Sequence, residues 1–337
     1  MKNNNLVKNF WEIVRGNKND LQQLATRVGF GEGLLLLGKQ NENVVALCAD
    51  LTDSTQVEKF KNAYPERYFE MGVSEQNMAS VASGMAAMGK VPFMASYAMF
   101  SPGRNWEQIR TTVVYNNVPV KIIGAHAGVS VGPDGGTHQA LEDVGLMRMI
   151  SGTVVIVPCD AVEAKKVTIQ IADNGRPTYL RLFREKSPVI TDEESYFEVG
   201  KANIMYESEK EQNKKIGIIA CGEMVARSLF CVPELESLGY QVGVMNLHTI
   251  KPIDVNGVKD FTKKYPNILT VEEHQIAGGM GSAVLECLAK ENVLQNLKFQ
   301  MLGIDDRFGQ SGTKEELFEE YKINEKHILE KIKQILK

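Results

Sequence analysis

Short, β-branched apolar runs alternate along this chain with longer stretches whose apolar residues recur at helical spacing. "NVVALCAD", "VPFMASY", "VPVKIIGAH", "GTVVIVPCD" and "PTYLRLF" place apolar residues at successive positions, as strands do when both faces of the sheet are covered. Between them the pattern predicts helices over 21–39, 75–89, 104–116 and 161–173. That alternation predicts a parallel sheet flanked by helices to about residue 187. The polar stretch "TDEESYFEVGKANIMYESEKEQNKK" reads as a linker with a short strand pair. A second series follows, with "KIGIIACG", "YQVGVMNL", "NILTVEEH" and "KFQMLGI" as strands. The expected architecture is α/β with two doubly wound domains. It divides into an N-terminal segment 1–20, a domain 21–187, a linker 188–213 and a smaller α/β domain 214–337.

A length of 337 residues suits two cores better than one. The net charge of −4 gives no electrostatic reason to expect nucleic acid or an anionic membrane as partner. No apolar run is long enough to span a bilayer and no signal peptide precedes the first helix, so a cytoplasmic protein is expected. Cys48, Cys159, Cys221, Cys231 and Cys287 are scattered without a C-x-x-C, which reads as small buried hydrophobes in a reducing compartment.

In doubly wound sheets, functional groups gather beyond the carboxyl ends of the strands. Those ends carry Asp50, Tyr97, His126, Asp160 and Arg184 in the first domain, and Glu272, Glu273 and His274 in the second. The loop "GAHAGVSVGPDGGTHQALEDVGLMR" (124–148) holds two of the five histidines and five glycines before Thr137. The glycines let His126, Asp134 and His138 fold back toward one point. Acid–base work by the two histidines, a metal site and an inert polar loop are the alternatives there. Arg27, Arg104, Arg110, Arg181 and Arg184 suggest an anionic partner, and Arg184, directly after a strand, is the best placed. "GFGEG" (29–33) lies inside a helical pattern and is no dinucleotide fingerprint, whereas "GGMGSAV" (278–284) suits close packing better than an anion seat. Tyr97 and Phe100 stand after a strand as packing residues or as a platform for a planar ring. Glu75 heads the small-residue helix in "GVSEQNMASVASGMAAMGKVP", with Ser74 as its expected N-cap.

Taken in order, "ATR", "ADLTDST", "GVSEQNMASVASGMA", "FMASYAMFSPGRNWEQIR" and "GAHAGVSVGPDGGTHQALED" resemble the pyrimidine-binding half of transketolases. "NLHTIKPID" and "TVEEHQIAGGMGSAV" resemble their C-terminal domain. The resemblance implies thiamine diphosphate as cofactor, with Glu75 on the 1′ nitrogen of the aminopyrimidine, Phe100 stacked on that ring and Tyr97 walling the pocket. It implies that His138 and Asp134 contact donor hydroxyls, and that His126, Arg27, Ser54 and Arg184 hold a sugar phosphate. Glu75, His138 and His126 are the catalytic candidates. The implied activity is transfer of a two-carbon ketol unit from a ketose phosphate to an aldose phosphate. Gly136 departs from the Pro common in this loop, which bears on the loop's rigidity.

The chain has no Gly-Asp-Gly motif of the kind that holds Mg2+ and diphosphate in transketolases. It therefore looks like the C-terminal subunit of a split transketolase, completed by a separate N-terminal subunit in a two-plus-two heterotetramer, with Mg2+ held mainly by that partner. Three other readings share some of these features: a deoxyxylulose-phosphate synthase-like subunit, a 2-oxo-acid dehydrogenase β-type subunit, and a non-catalytic scaffold.

Overall fold

A computed structural model describes residues 5–335; the first four residues of the expected N-terminal segment and the last two of the second domain lie outside it. The first domain is a seven-stranded sheet in the spatial order Thr249–Lys251, Val154–Ile156, Thr178–Arg181, Lys121–Ala125, Val91–Tyr97, Val44–Cys48 and Tyr68–Glu70. The strands from the first domain's own sequence run parallel; those predicted from continuous apolar runs are largely buried, whereas the edge strand Tyr68–Glu70, which no such run announced, is half-buried to exposed. The chain reverses its direction of winding between Val44–Cys48 and Val91–Tyr97, which opens a crevice at their carboxyl ends.

The second sheet runs Lys298–Ile304, Asn267–Gln275, Lys214–Ala220, Tyr240–Asn246 and Asn203–Glu207. Its last strand is antiparallel and comes from the stretch 188–213, so that stretch contributes an edge to the second sheet. The other short strand near it, Ser187–Pro188, pairs instead with Gln23–Leu24. A further exchange joins the domains: Thr249–Lys251, from the second domain's sequence, is the antiparallel edge of the first sheet.

The glycines of "GFGEG" sit in the helix Thr26–Gln40 and serve close packing. A Cβ on Gly29 would lie 1.8 Å from the Ala161 carbonyl oxygen, at the start of the neighbouring helix Ala161–Ala172. The helix expected over 104–116 is a short turn, Trp106–Gln108, running into a π-helical stretch, Ile109–Val114. Side chains claim its carbonyls: Thr112 Oγ1 donates to Gln108 O at 2.6 Å and Ser83 Oγ to Thr112 O at 2.6 Å. Such bonds compete with the i→i−4 ladder and widen a helix locally. All five cysteines are buried. Among the described residues no helix is long and apolar enough to cross a membrane.

Candidate active site

Glu75 opens the helix Glu75–Ala87 with its carboxylate buried, 1 % exposed. Ser74 does not cap that helix through its side chain; its hydroxyl donates backward to Met71 O at 2.5 Å. The helix start is fixed instead by buried Asn105, whose Nδ2 donates to Glu75 O at 3.1 Å and to Ser101 Oγ at 3.2 Å. Glu75 Oε1 accepts a long 3.4 Å bond from Ser96 Oγ, and Oε2 accepts from Arg104 Nη1 at 2.7 Å.

Phe100 follows the strand Val91–Tyr97 and lies beneath the Arg104 guanidinium, whose Cζ is 4.8 Å from the ring centroid. Tyr97 stacks at 6.1 Å from Phe100 and at 3.9 Å from the His126 ring. His138 meets Phe100 edge-on at 5.4 Å. The aromatic pair and the two histidines thus form one continuous wall beside Glu75.

His126 takes a positive φ of 54°, uncommon for a residue with a side chain. That turn drives the imidazole inward, where it is 2 % exposed and Nδ1 has no hydrogen-bond partner. Burial above all, helped by the charges of Arg27, Arg184 and His138, lowers its pKa to about 3. His126 is therefore a neutral imidazole with an open ring nitrogen.

Arg27 donates to Arg184 O at 3.2 Å and to Ser54 O at 2.8 Å, so Ser54 engages it through its carbonyl. Arg184 Nη1 donates to Val131 O at 2.6 Å and stands 3.6 Å from Asp134 Oδ1. His138 Nδ1 and Thr137 Oγ1 are 2.9 Å apart. The structure thus gathers Glu75, Tyr97, Phe100, His126, His138, Asp134, Arg27, Ser54 and Arg184 around one crevice. Its basic end is Arg27 with Arg184, and its acidic end is the buried Glu75.

Other polar residues at strand ends have structural tasks. Asp160 caps the helix Ala161–Ala172 through Glu163 N at 2.8 Å. Arg181 is buried against Asp143 at 2.8 Å. Glu272 accepts the amides of Met280 and Gly281 at 2.6 and 2.7 Å, so the first amides of the helix opened by "GGMGSAV" are already occupied by an internal carboxyl group. Glu273 Oε1 accepts Ser130 N at 2.6 Å, which ties the second domain to the crevice loop.

Gln139 carried no signal in the sequence beyond its place next to His138. Its Nε2 donates to Val129 O, Gly132 O and Gln310 O at 3.0, 3.3 and 2.9 Å. Ser311 Oγ adds a bond to Pro133 O at 2.7 Å. The loop that carries Asp134 and His138 is therefore held by the second domain. Gly136 belongs to the same seam: a Cβ there would lie 2.6 Å from Gly309 O.

A flat group with an N–H edge fits between Phe100 and Glu75, because a guanidinium already makes both contacts. The 4-aminopyrimidine of thiamine diphosphate is planar and presents ring nitrogen and amino groups, so these residues fit that end of the cofactor. Among the described residues no three or more His, Cys, Asp or Glu side chains cluster to hold a metal ion. Two open clefts, of about 480 and 300 Å³, lie elsewhere, around Arg148 and Glu286.

Residues 22–189 match the transketolase pyrimidine binding domain, and residues 206–328 the transketolase C-terminal domain. A protein of Methanocaldococcus jannaschii described as a transketolase C-terminal section is 41% identical over 92% of this chain and 96% of its own length. A 6-deoxy-6-sulfo-D-fructose transketolase subunit of a Clostridium species is 36% identical, covering 88% of this chain and 89% of that protein. A solved split-gene transketolase, described as an inactive β4 tetramer, superposes with a TM-score of 0.83 at 34% identity, over 94% of this chain and 99% of the other.

Proposed function

The chain belongs to the transketolase family, and from its pyrimidine-binding and C-terminal domains we propose that it is the C-terminal subunit of a split transketolase that moves a two-carbon ketol unit from a ketose phosphate to an aldose phosphate. The observation that carries this reading is the buried Glu75 carboxylate beside Phe100, at one end of a crevice whose other end holds Arg27 and Arg184. Thiamine diphosphate, when bound, supplies the carbanion chemistry that breaks and remakes the carbon–carbon bond.

Glu75 holds the aminopyrimidine through its carboxylate, in a dry setting where a hydrogen bond is stronger than in water. Phe100, with Tyr97 beside it, supports the ring. Arg27 and Arg184 present fixed charge to the sugar's anionic end, and neutral His126 offers its open nitrogen there. His138 and Asp134 face the donor hydroxyls from the loop that Gln139 secures.

A separate N-terminal subunit completes the site, holding the diphosphate and Mg2+ in a two-plus-two assembly. The solved relative described as an inactive tetramer of β chains supports this, as does the relative called a subunit. The buried thiols suit a cytoplasmic enzyme. One relative is named for a sulfonated ketose, and the oxygens of a sulfonate, like those of a phosphate, accept the N–H groups of an arginine pair. The donor's anion is therefore the open specificity question.

The test uses the reconstituted complex with xylulose 5-phosphate plus ribose 5-phosphate, with 6-deoxy-6-sulfofructose as donor, and with pyruvate plus glyceraldehyde 3-phosphate. Ketol transfer from an anionic ketose is expected, with Glu75→Gln reducing it by roughly 100-fold or more while assembly stays intact. Turnover of pyruvate alone, or full turnover by the Glu75→Gln complex, contradicts the reading.

A further inference from the structure

Among the described residues, Arg104 is the charged side chain paired with Glu75, and the proposed reaction gives it no task. Its Nη1 donates to Glu75 Oε2 at 2.7 Å, and its Cζ lies over the Phe100 ring, 4.8 Å from the centroid. A delocalised group over the Phe100 ring and an N–H into the Glu75 carboxylate are the two contacts assigned above to the aminopyrimidine. Guanidinium and aminopyrimidine share the chemistry that makes this exchange possible, since both are planar, delocalised and edged with N–H groups.

The surroundings suit a side chain that comes and goes. Arg104 is 45% exposed at its side chain, whereas Glu75 is 1% exposed. The next residue, Asn105, is buried and anchored to Glu75 O and Ser101 Oγ. The backbone beside the arginine is thereby fixed, while its long side chain has a route into solvent. A buried carboxylate without a partner is costly, so a chain that waits for its cofactor gains from an internal cation at Oε2.

We propose that Arg104 is a built-in occupant of the pyrimidine seat, pairing with Glu75 and covering Phe100 until an aminopyrimidine displaces it. This rests on the reading of Glu75 and Phe100 given above. It makes Arg104 a residue that sets cofactor affinity by competition. Release of the arginine becomes part of loading the site, with no covalent step involved.

The test is calorimetric binding of thiamine to the purified full chain. Thiamine carries the pyrimidine but no diphosphate, so it does not call on the partner's share of the site. Wild type, Arg104→Ala, Arg104→Gln and the double variant Arg104→Ala/Glu75→Gln are compared, with thermal melts to verify folding. Arg104→Gln keeps much of the alkyl stem in case Arg104→Ala is poorly folded. Both single variants should bind thiamine at least tenfold more tightly than wild type, and the gain should vanish in the double variant. Equal or weaker binding by the Arg104 variants, including no binding by any protein, overturns the proposal, as does a gain that survives Glu75→Gln. Failure of the underlying reading is seen separately, as unchanged turnover by the Glu75→Gln complex.

Discussion

Burial holds the His126 imidazole neutral down to about pH 3, and the positive charges of Arg27, Arg184 and His138 act in the same direction. A histidine in that state takes part by hydrogen bonding and leaves no titration step near neutrality. The ratio of wild-type to His126→Asn kcat/KM in the reconstituted complex should therefore stay constant from pH 6 to pH 9. A ratio that changes tenfold through pH 6–7 would show an imidazole titrating there. Glu75, His126, Asp134 and His138 were legible in the sequence because each is a chemistry-bearing type in a turn or at a helix start. Arg104 was legible only as one of several basic residues; its pairing with Glu75 was not, since the two lie 29 residues apart. Ser54 shows a different limit: the position was legible, but its contact with Arg27 runs through the backbone carbonyl.

Buried strands were legible as elements because runs such as "VVALC" are apolar at every position. The π-helical turn after Gln108 and the edge strand Thr249–Lys251 were not, as both depend on partners distant in sequence. The crevice loop belongs to the same class. Its glycines announce a turn, but its rigidity comes from Gln139 and from the second domain's residues 309–311. Removing the Gln139 amide leaves three carbonyls without this donor. Gln139→Ala should cost about 2 kcal/mol in denaturant unfolding, within the range for buried groups left unpaired. In the complex it should raise the donor KM more than it lowers kcat, because the loop positions Asp134 and His138 while Glu75 is untouched. An unchanged KM would mean that the loop holds its shape without this clamp.

At the scale of the molecule, the second domain acts as a brace. It lends a strand to the first sheet, and Glu273 grips the crevice loop through Ser130 N at 2.6 Å. Burial raises the Glu273 pKa to about 7, against the opposing pull of Arg181 and the Ser130 amide. The native state thus keeps a proton that the unfolded chain releases near the ordinary carboxylate value of 4.5. Stability from this group is full below about pH 4.5 and is lost as pH rises through about 7. Glu273→Gln keeps an acceptor for Ser130 without titrating, so its melting temperature relative to wild type should improve by several degrees between pH 5 and pH 8. A difference independent of pH would place the titration elsewhere. As proposed above, this chain carries half of a catalytic site. The most direct measurement of this is ketol transfer from an anionic ketose, with thiamine diphosphate and Mg2+, by the purified chain, by a transketolase N-terminal subunit, and by the two mixed. Neither subunit alone should turn over, and turnover on mixing should saturate at one-to-one stoichiometry. Full turnover by this chain alone would contradict it.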